Sequence, residues 1–196
     1  IFQSDDQSGG VHTYFFLDGS NGYTSFPDSK ILGFGAGGDL TIQHDGNNSY
    51  INANGTGDLI IKQMTDDKDI SFQSDDGSGG VTEYFRLDGG DADGTYTYTK
   101  WADNSIVALG ISKDLKIFHS GTNSYVQNST GDLYIKNLAD DKDILFHSDD
   151  GSGGRTAYLT LDGSAGYTTA QKNIQFVDNA QAYFGTGVDL RIYHDG

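Results

Sequence analysis

Cysteine is absent from the 196 residues, and proline occurs only once. Disulfides, thiolate metal ligands and thiol nucleophiles are therefore excluded. Basic residues are also few: 12 Lys and Arg stand against 28 Asp and Glu, which gives a formal net charge of −16. Phosphate backbones need cations to neutralise them, so this charge argues against nucleic acid as a partner. No apolar run is long enough for a bilayer span, and no membrane insertion is expected.

Glycine and aromatic residues are abundant instead. The chain contains 28 Gly, 12 Tyr and 11 Phe. Gly, Asn, Asp and Ser cluster between aromatic and β-branched runs, which is typical of short strands joined by tight turns. No segment has a convincing helical periodicity. The sequence therefore predicts an all-β protein.

A long repeat organises the chain. The string DLTIQHDG at residues 39–46 returns as DLKIFHSG at 114–121 and as DLRIYHDG at 189–196, a spacing of 75 residues both times. Self-similarity at a fixed period is typical of stacked or fibrous architectures. The expected organisation is a partial repeat at 1–38, full repeats at 39–113 and 114–188, and the start of a further repeat at 189–196. We also expect the chain to be part of a longer repetitive protein.

Each repeat is expected to contain six or seven short strands. In the first octapeptide, Leu40, Ile42 and His44 point to one side of a strand, and the two residues between them point to the other. The face with Leu40, Ile42 and His44 recurs in every copy, so we predict that it is buried and that the other face is exposed to solvent. The strings GDLIIK at 57–62 and GDLYIK at 131–136 predict a further strand with Leu and Ile alternating inward.

Acidic loops are the first candidates for metal binding. Asp75 and Asp76 open a DDGSGG loop, and Asp66, Asp67 and Asp69 belong to a DDKD tract. Both tracts supply the oxygen ligands that calcium prefers. Neither has the spacing of an EF-hand loop, so the alternative is a solvated turn whose charge blocks edge-to-edge pairing of strands.

Histidines in register are the second candidates. His44, His119 and His194 occupy the same place in successive copies. If three chains met on an axis, the same histidine of each chain would converge there. Three such imidazoles could then ligate one metal ion. The alternative is a hydrogen-bonded packing residue at the end of a strand. On balance no cofactor is expected, and calcium is the one candidate.

Catalysis is not expected from this sequence. It contains no GxSxG, HExxH or phosphate-binding-loop pattern. Carboxylates recur copy after copy, as scaffold features do, whereas a catalytic site usually occurs once in a chain. The sequence therefore favours a protein that is not an enzyme.

Aromatic residues crowd the stretches in which the copies differ in length. Tyr23 and Phe26 lie in the first of these stretches, and Tyr96, Tyr98 and Trp101 lie in the second. Exposed aromatic side chains on variable loops suit stacking on carbohydrate or contact with a protein partner. The alternative is that they cap the ends of neighbouring strands. Both interpretations stay open at this point.

Four strings in fixed order resemble repeats of tail-fibre proteins from phages of marine bacteria, notably cyanophages. They are DLxI[QFY]H[DS]G, NSY[IV], GDLxIK and FxSDDGSGG. The resemblance covers every residue except the variable loops. In that family such repeats often precede an endosialidase-type intramolecular chaperone domain, and no such domain is among these 196 residues.

The resemblance implies the shaft of an extracellular or virion-attached fibre. The expected fold is an elongated repetitive β fibre of short strands, with homotrimeric modules along an axis. The expected partners are copies of the chain itself and, through the variable loops, a cell-surface glycan or receptor. A single-chain β-solenoid is the alternative fold. The alternative functions are a secreted β-helical carbohydrate-active enzyme and a calcium-binding adhesin.

Overall fold

The computed structural model describes residues 1–196 and contains 17 short strands and no helix. The strands are β1 (Phe2–Asp5), β2 (Val11–Asp18), β3 (Tyr23–Ser25), β4 (Ile31–Phe34), β5 (Leu40–His44), β6 (Ser49–Ala53), β7 (Ile70–Asp75), β8 (Val81–Asp88), β9 (Tyr98–Lys100), β10 (Val107–Leu109), β11 (Leu115–His119), β12 (Ser124–Asn128), β13 (Ile144–Asp149), β14 (Arg155–Asp162), β15 (Tyr167–Ala170), β16 (Gln181–Phe184) and β17 (Leu190–Tyr193). The all-β prediction is confirmed. No helix capable of crossing a membrane is present.

The strands form six small antiparallel sheets, and each sheet joins strands that follow one another in the chain. Three of them have a central strand of eight residues, and we call these the long-strand sheets: β1–β3, β7–β9 and β13–β15. They alternate with the short-strand sheets, which are β4–β6, β10–β12 and the pair β16–β17. Residues 39–113 and 114–188 each contain six strands, as predicted. The parallel pairing between successive coils that defines a parallel β-helix is absent.

A β-bulge recurs in the long-strand sheets. The pairing of the first two strands slips by one residue, which leaves Tyr14, Tyr84 and Tyr158 as the extra residues in the three copies. The Tyr84 hydroxyl donates a hydrogen bond to the carbonyl of Asp75, at 2.8 Å. Tyr158 makes the equivalent bond to Asp149, also at 2.8 Å. Because the hydroxyl donates to the last residue of the neighbouring strand, the recurring tyrosine is a structural part of the bulge.

No apolar side chain is buried in this chain. The residues that are buried are Thr41, Asp88 and Thr160. The chain exposes 15720 Å² of surface, whereas a folded monomer of 21.1 kDa exposes about 9000 Å². Two compact units are present, Ile1–Ser105 and Ile106–Gly196. Within each unit, strands contact only their neighbours in the same sheet, so each sheet is a single layer without a second layer packed on it.

The prediction of strands at residues 57–62 and 131–136 is wrong. The residues around them, 58–64 and 132–138, are assigned to no strand, helix or turn and pair with no sheet. Their apolar side chains are exposed instead of directed inward. The alternating pattern predicts a strand only when another strand lies beside it, and the chain itself supplies none here.

The predicted burial of the octapeptide faces is also wrong. In β5, Ile42 and His44 are exposed, whereas Thr41 is buried and Gln43 is half-buried. Asn52 from the neighbouring strand donates to the Thr41 hydroxyl at 3.4 Å and helps to cover it. The recurring face is the open one, because no second layer packs on it.

A clasp joins two of the recurring motifs, the DDKD tract and the Leu-Asp-Gly turn. The Asp69 carboxylate accepts a hydrogen bond from the Gly89 N–H, at 2.9 Å. A Cβ atom at Gly89 would lie 2.5 Å from the carbonyl oxygen of Lys68. Asp143 and Gly163 repeat the same bond in the next copy, also at 2.9 Å. This turn therefore needs glycine for the close approach of two backbones.

We expect Gly89→Ala to lower the free energy of unfolding by roughly 1–3 kcal/mol, because the new methyl group overlaps a backbone carbonyl. Gly90→Ala is the matched control, since its Cβ would have only ordinary contacts, the nearest at 3.7 Å from an Asp88 oxygen. Thermal unfolding followed by circular dichroism measures both variants. Equal melting temperatures for the two would contradict the clasp.

Candidate functional site

The DDGSGG loops are closed by their second aspartate. Oδ1 of Asp76 accepts from the Ser78 N–H at 2.7 Å, from the Ser78 hydroxyl at 2.8 Å and from the Gly80 N–H at 3.0 Å. Asp75 accepts from the Gly77 N–H at 3.1 Å. These bonds favour the charged carboxylate and lower the pKa of Asp76, with the Ser78 hydroxyl as the largest cause. The carboxylates that were candidate calcium ligands are thus engaged in holding their own loop.

The other copies of this loop are built in the same way. Asp150 accepts from the Ser152 hydroxyl at 2.7 Å and from the Gly154 N–H at 3.1 Å. Asp6 accepts from the Ser8 hydroxyl at 2.8 Å, and this bond is the largest cause that lowers the pKa of Asp6 to about 2. The loop geometry therefore belongs to the repeat and not to one special copy.

The DDKD tract is divided between two environments. The side chains of Asp66 and Asp67 are exposed, in the turn that precedes β7. Asp67 has a positive φ of 56°, which the turn requires. Asp69 lies in the clasp with Gly89 and also faces the Arg86 guanidinium, at 3.3 Å. The tract does not gather its three carboxylates around one point.

Two of the three candidate histidines face the residue opposite them in a short-strand sheet. Nδ1 of His44 lies 3.2 Å from the Ser49 hydroxyl, and Nδ1 of His119 lies 3.1 Å from the Ser124 hydroxyl. His194 lies 3.3 Å from an Asp178 oxygen. No group of three or more His, Asp or Glu side chains in the chain is placed to hold a metal ion. The histidines lie at the polar end of the recurring face, next to the turn.

Two of the five candidate aromatic side chains extend stacks in the long-strand sheets. Phe26 stacks on Phe15, with ring centroids 5.5 Å apart, and Trp101 stacks on Phe85 at 5.4 Å. Phe15 in turn stacks on Phe2 at 4.3 Å. Phe26 and Trp101 therefore continue a row of rings across the strands, which is the capping role that the sequence left open.

The other three candidates are not part of these stacks. Tyr23 and Tyr98 begin the third strands of their sheets, and Tyr96 lies in the turn before β9. Tyr167 occupies the same place as Tyr23 and Tyr98, since all three lie opposite the last aspartate of the central strand. Sequence reasoning missed Tyr167, although the signal was available, since GSAGY at residues 163–167 matches GSNGY at residues 19–23. All four rings are exposed, with Tyr96 at 63%.

A cluster of charges lies on one long-strand sheet and was also missed. The buried Asp88 carboxylate accepts from the Arg86 Nε at 2.8 Å and lies 3.1 Å from the Lys100 ammonium. Arg86 also donates to Glu83 at 2.9 Å, and Lys100 contacts Asp91. These partners lower the pKa of Asp88, with the Arg86 bond as the largest cause. The charge pair at 83 and 86, specific to the middle copy, was the signal available in the sequence.

The short-strand sheets carry an apolar face on the same side in every copy. Residues opposite each other in an antiparallel ladder share a face, which places Leu32, Ile42 and Ile51 side by side. Ile42 is 42% exposed and Ile51 is 61% exposed. We call this surface the apolar face; its members are Leu32, Phe34, Leu40, Ile42 and Ile51 in β4–β6, Val107, Leu109, Leu115, Ile117 and Val126 in β10–β12, and Ala182, Phe184, Leu190 and Ile192 in β16–β17.

No protein-family model, curated protein or solved structure matches this chain. The geometry of the apolar face defines the chemistry that it supports. It repeats one small apolar patch, composed mainly of Leu, Ile, Val and Phe, at 75-residue intervals. A repeated flat apolar patch on single-layer sheets is suited to packing against another protein surface.

Asp6 and Asp18 are expected to titrate far below an ordinary aspartate. Hydrogen bonds from Ser8 and from Ser20, respectively, are the largest causes that lower the pKa of each to about 2. Because the folded pKa lies below the unfolded value, these bonds stabilise the fold above about pH 4. Their contribution is lost as the pH falls from about 4 to about 2.

A carboxyl-carbon NMR titration between pH 5 and pH 1.5 measures both groups. Asp6→Asn is expected to remove the titration of Asp6 and to leave that of Asp18 unchanged. Titration of Asp6 in the wild-type chain near the ordinary aspartate value of 3.8 would show that the loop is not closed in solution.

Proposed function

We propose that this chain is a structural module of an extracellular or virion-attached fibre, in which parallel copies pack through the apolar face as a homotrimer. The observation that carries the proposal is the absence of any buried apolar side chain together with an apolar face that recurs in register. A chain with this pattern gains its hydrophobic stabilisation by association, because it has no other place to bury those side chains.

The area available supports association of an obligate kind. The chain exposes 15720 Å², which is about 6700 Å² more than a folded monomer of its mass. Obligate interfaces bury about 2000–5000 Å² in total and are more apolar than transient ones. The excess is therefore large enough for several subunit contacts along the chain.

The regular spacing favours parallel copies. A parallel homomer places each apolar face against its own equivalent, and the match repeats every 75 residues. Closed rotational symmetry leaves few free sheet edges and limits runaway aggregation. The number of three subunits follows from the resemblance to marine phage fibre repeats. The long period and the separate sheets suit modules along an axis.

A structural role also fits the way in which the carboxylates are used. Asp76 and its counterparts close loops, Asp69 forms the clasp, and Asp88 neutralises two cations. Each carboxylate has a local structural task that explains its presence. The net charge of −16 on the whole chain favours the solubility of such an assembly.

The variable loops support a second role in surface contact. Tyr23, Tyr96 and Tyr98 are exposed and lie outside the aromatic stacks of the long-strand sheets. Tyrosine offers a flat apolar ring and a hydroxyl, which suits stacking and hydrogen bonding with a sugar or a protein receptor. We propose that these loops contact a cell-surface glycan or receptor, while the sheets form the shaft.

The apolar face is tested by a matched pair of substitutions in β5. Ile42→Glu puts a charge on the apolar face, and Gln43→Glu puts the same charge on the opposite face one residue away. Losing a buried Ile side chain costs about 1.5–3 kcal/mol per subunit, so the apparent dissociation constant for Ile42→Glu should rise about tenfold or more. Gln43→Glu should assemble like the wild-type chain.

Mass photometry and sedimentation equilibrium measure the assembly, and electron microscopy measures the particle shape. The expected result is a trimer mass and elongated particles. A monomer mass at micromolar concentration, or compact globules, would overturn the fibre proposal. An equal effect of the two substitutions would place the interface elsewhere.

A further inference from the structure

Two stretches of the chain have the sequence of a strand without a partner strand. We call residues 58–64 and 132–138 the unpaired segments. They contain the strings LIIK and LYIK, which are rich in residues that favour strands, and they belong to no sheet. Ile60 and Ile61 are each 63% exposed, and Tyr134 is exposed as well. Both segments follow the last strand of a complete short-strand sheet, β6 and β12 respectively.

The backbone of the unpaired segments is equally without partners. No backbone–backbone hydrogen bond involves an N–H or a carbonyl of residues 58–64 or 132–138. Glycines with positive φ precede both segments, Gly57 at 109° and Gly131 at 68°. An extended apolar stretch with free donors and acceptors along its length is complementary to the edge of a β-sheet.

Open clefts flank the first of these segments. A cleft of about 470 Å³ lies between its first half and the short-strand sheet, with Leu59, Phe34 and Leu40 among its lining residues. A cleft of about 440 Å³ lies beside its second half, with Ile61 and Leu87 among its lining residues. Because Phe34 and Leu40 belong to the apolar face, the segment and that face form one continuous apolar surface.

We propose that the unpaired segments are intermolecular strands, each of which pairs edge-on with the outer strand of a sheet in a second copy of this chain. This inference rests on the proposed function, since it requires self-association. The pairing satisfies the N–H and carbonyl groups of every second residue in 58–64 and 132–138. It also fills the clefts beside residues 58–64 with side chains from the neighbouring copy.

A second copy fits this surface better than an unrelated partner. The segment occurs at the same place in both complete repeats, in step with the apolar face through which the copies pack. Each segment contains one aspartate and one lysine, Asp58 and Lys62 or Asp132 and Lys136, and is neutral, whereas the chain as a whole carries a net charge of −16. A neutral apolar segment can therefore approach the acidic surface of another copy without adding charge repulsion. Outer strands with a free edge, such as β6 and β12, are available in every complete sheet.

Amide hydrogen exchange of the 196-residue chain tests the pairing directly. In the assembled protein, alternate amides of residues 59–62 and 133–136 should exchange at least about 100-fold more slowly than in the dissociated chain, because every second N–H of an edge-paired strand donates to its neighbour. Assembled protein in which these amides exchange at the unprotected rate would overturn the strand pairing and leave self-association standing. A monomer mass at micromolar concentration would overturn both.

Matched proline substitutions test it independently. Ile60→Pro and Ile61→Pro each remove one N–H from the unpaired segment, and Ile111→Pro removes one N–H from the turn between β10 and β11. Ile111 follows Gly110, whose carbonyl accepts from the Lys113 N–H at 3.0 Å, so proline falls at the second position of that turn, where it is tolerated.

Proline in the segment and proline in the turn should behave differently in sedimentation equilibrium. Only every second N–H of an edge-paired strand faces its partner, so one of the two variants Ile60→Pro and Ile61→Pro should raise the apparent dissociation constant at least about tenfold, because each subunit loses an intermolecular hydrogen bond. Ile111→Pro should leave it unchanged. Circular dichroism of the dilute chains is the folding control, since residues 60 and 61 lie in no sheet of their own chain. Equal dissociation constants for Ile60→Pro, Ile61→Pro and the wild type would overturn the inference, because one of these two neighbouring N–H groups must face the partner strand.

Discussion

A single-layer antiparallel sheet of two or three strands has no buried interior, because no second layer covers either face. This constraint applies to every sheet of the chain. Every sheet is built from consecutive strands, and no strand contacts another sheet of its unit. The hydrophobic effect stabilises a sheet only when one face is covered by another layer. Here the apolar face is left open in each short-strand sheet, so its stabilisation depends on a surface outside those sheets.

Local polar interactions stabilise the turns of the chain without any partner. Asp76 and Asp45 close their turns by accepting backbone N–H groups, and Asp69 closes the clasp with Gly89. These bonds are exposed and each is modest in water. They set the turn and the strand register, and they fix which side of a sheet is apolar. The acidic residues thus position the strands that carry the apolar face, but they do not cover that face.

Particular residues show how far the sequence could be interpreted. The Asp-Gly turns and the 75-residue period were visible because turn chemistry and self-similarity are local properties of the sequence. The bulge at Tyr14 and its counterparts was not predicted, because an extra residue in a strand has no reliable signal in alternation. The cluster around Asp88 was missed because its partners come from two strands and a loop. Tyr167 could have been found from the sequence, since DGSAGY at residues 162–167 matches DGSNGY at residues 18–23.

The sequence by itself determined the all-β character, the repeat and the place of most turns, since each depends on residues close together in the chain. Only the tertiary structure decided that the face with Ile42 is open and that residues 58–64 have no partner. Whether an apolar alternation is buried depends on a second layer, and whether it becomes a paired strand depends on a neighbouring strand. The alternation does not specify the second layer or the neighbouring strand. Within this chain, no second layer covers the apolar face, and no strand pairs with residues 58–64.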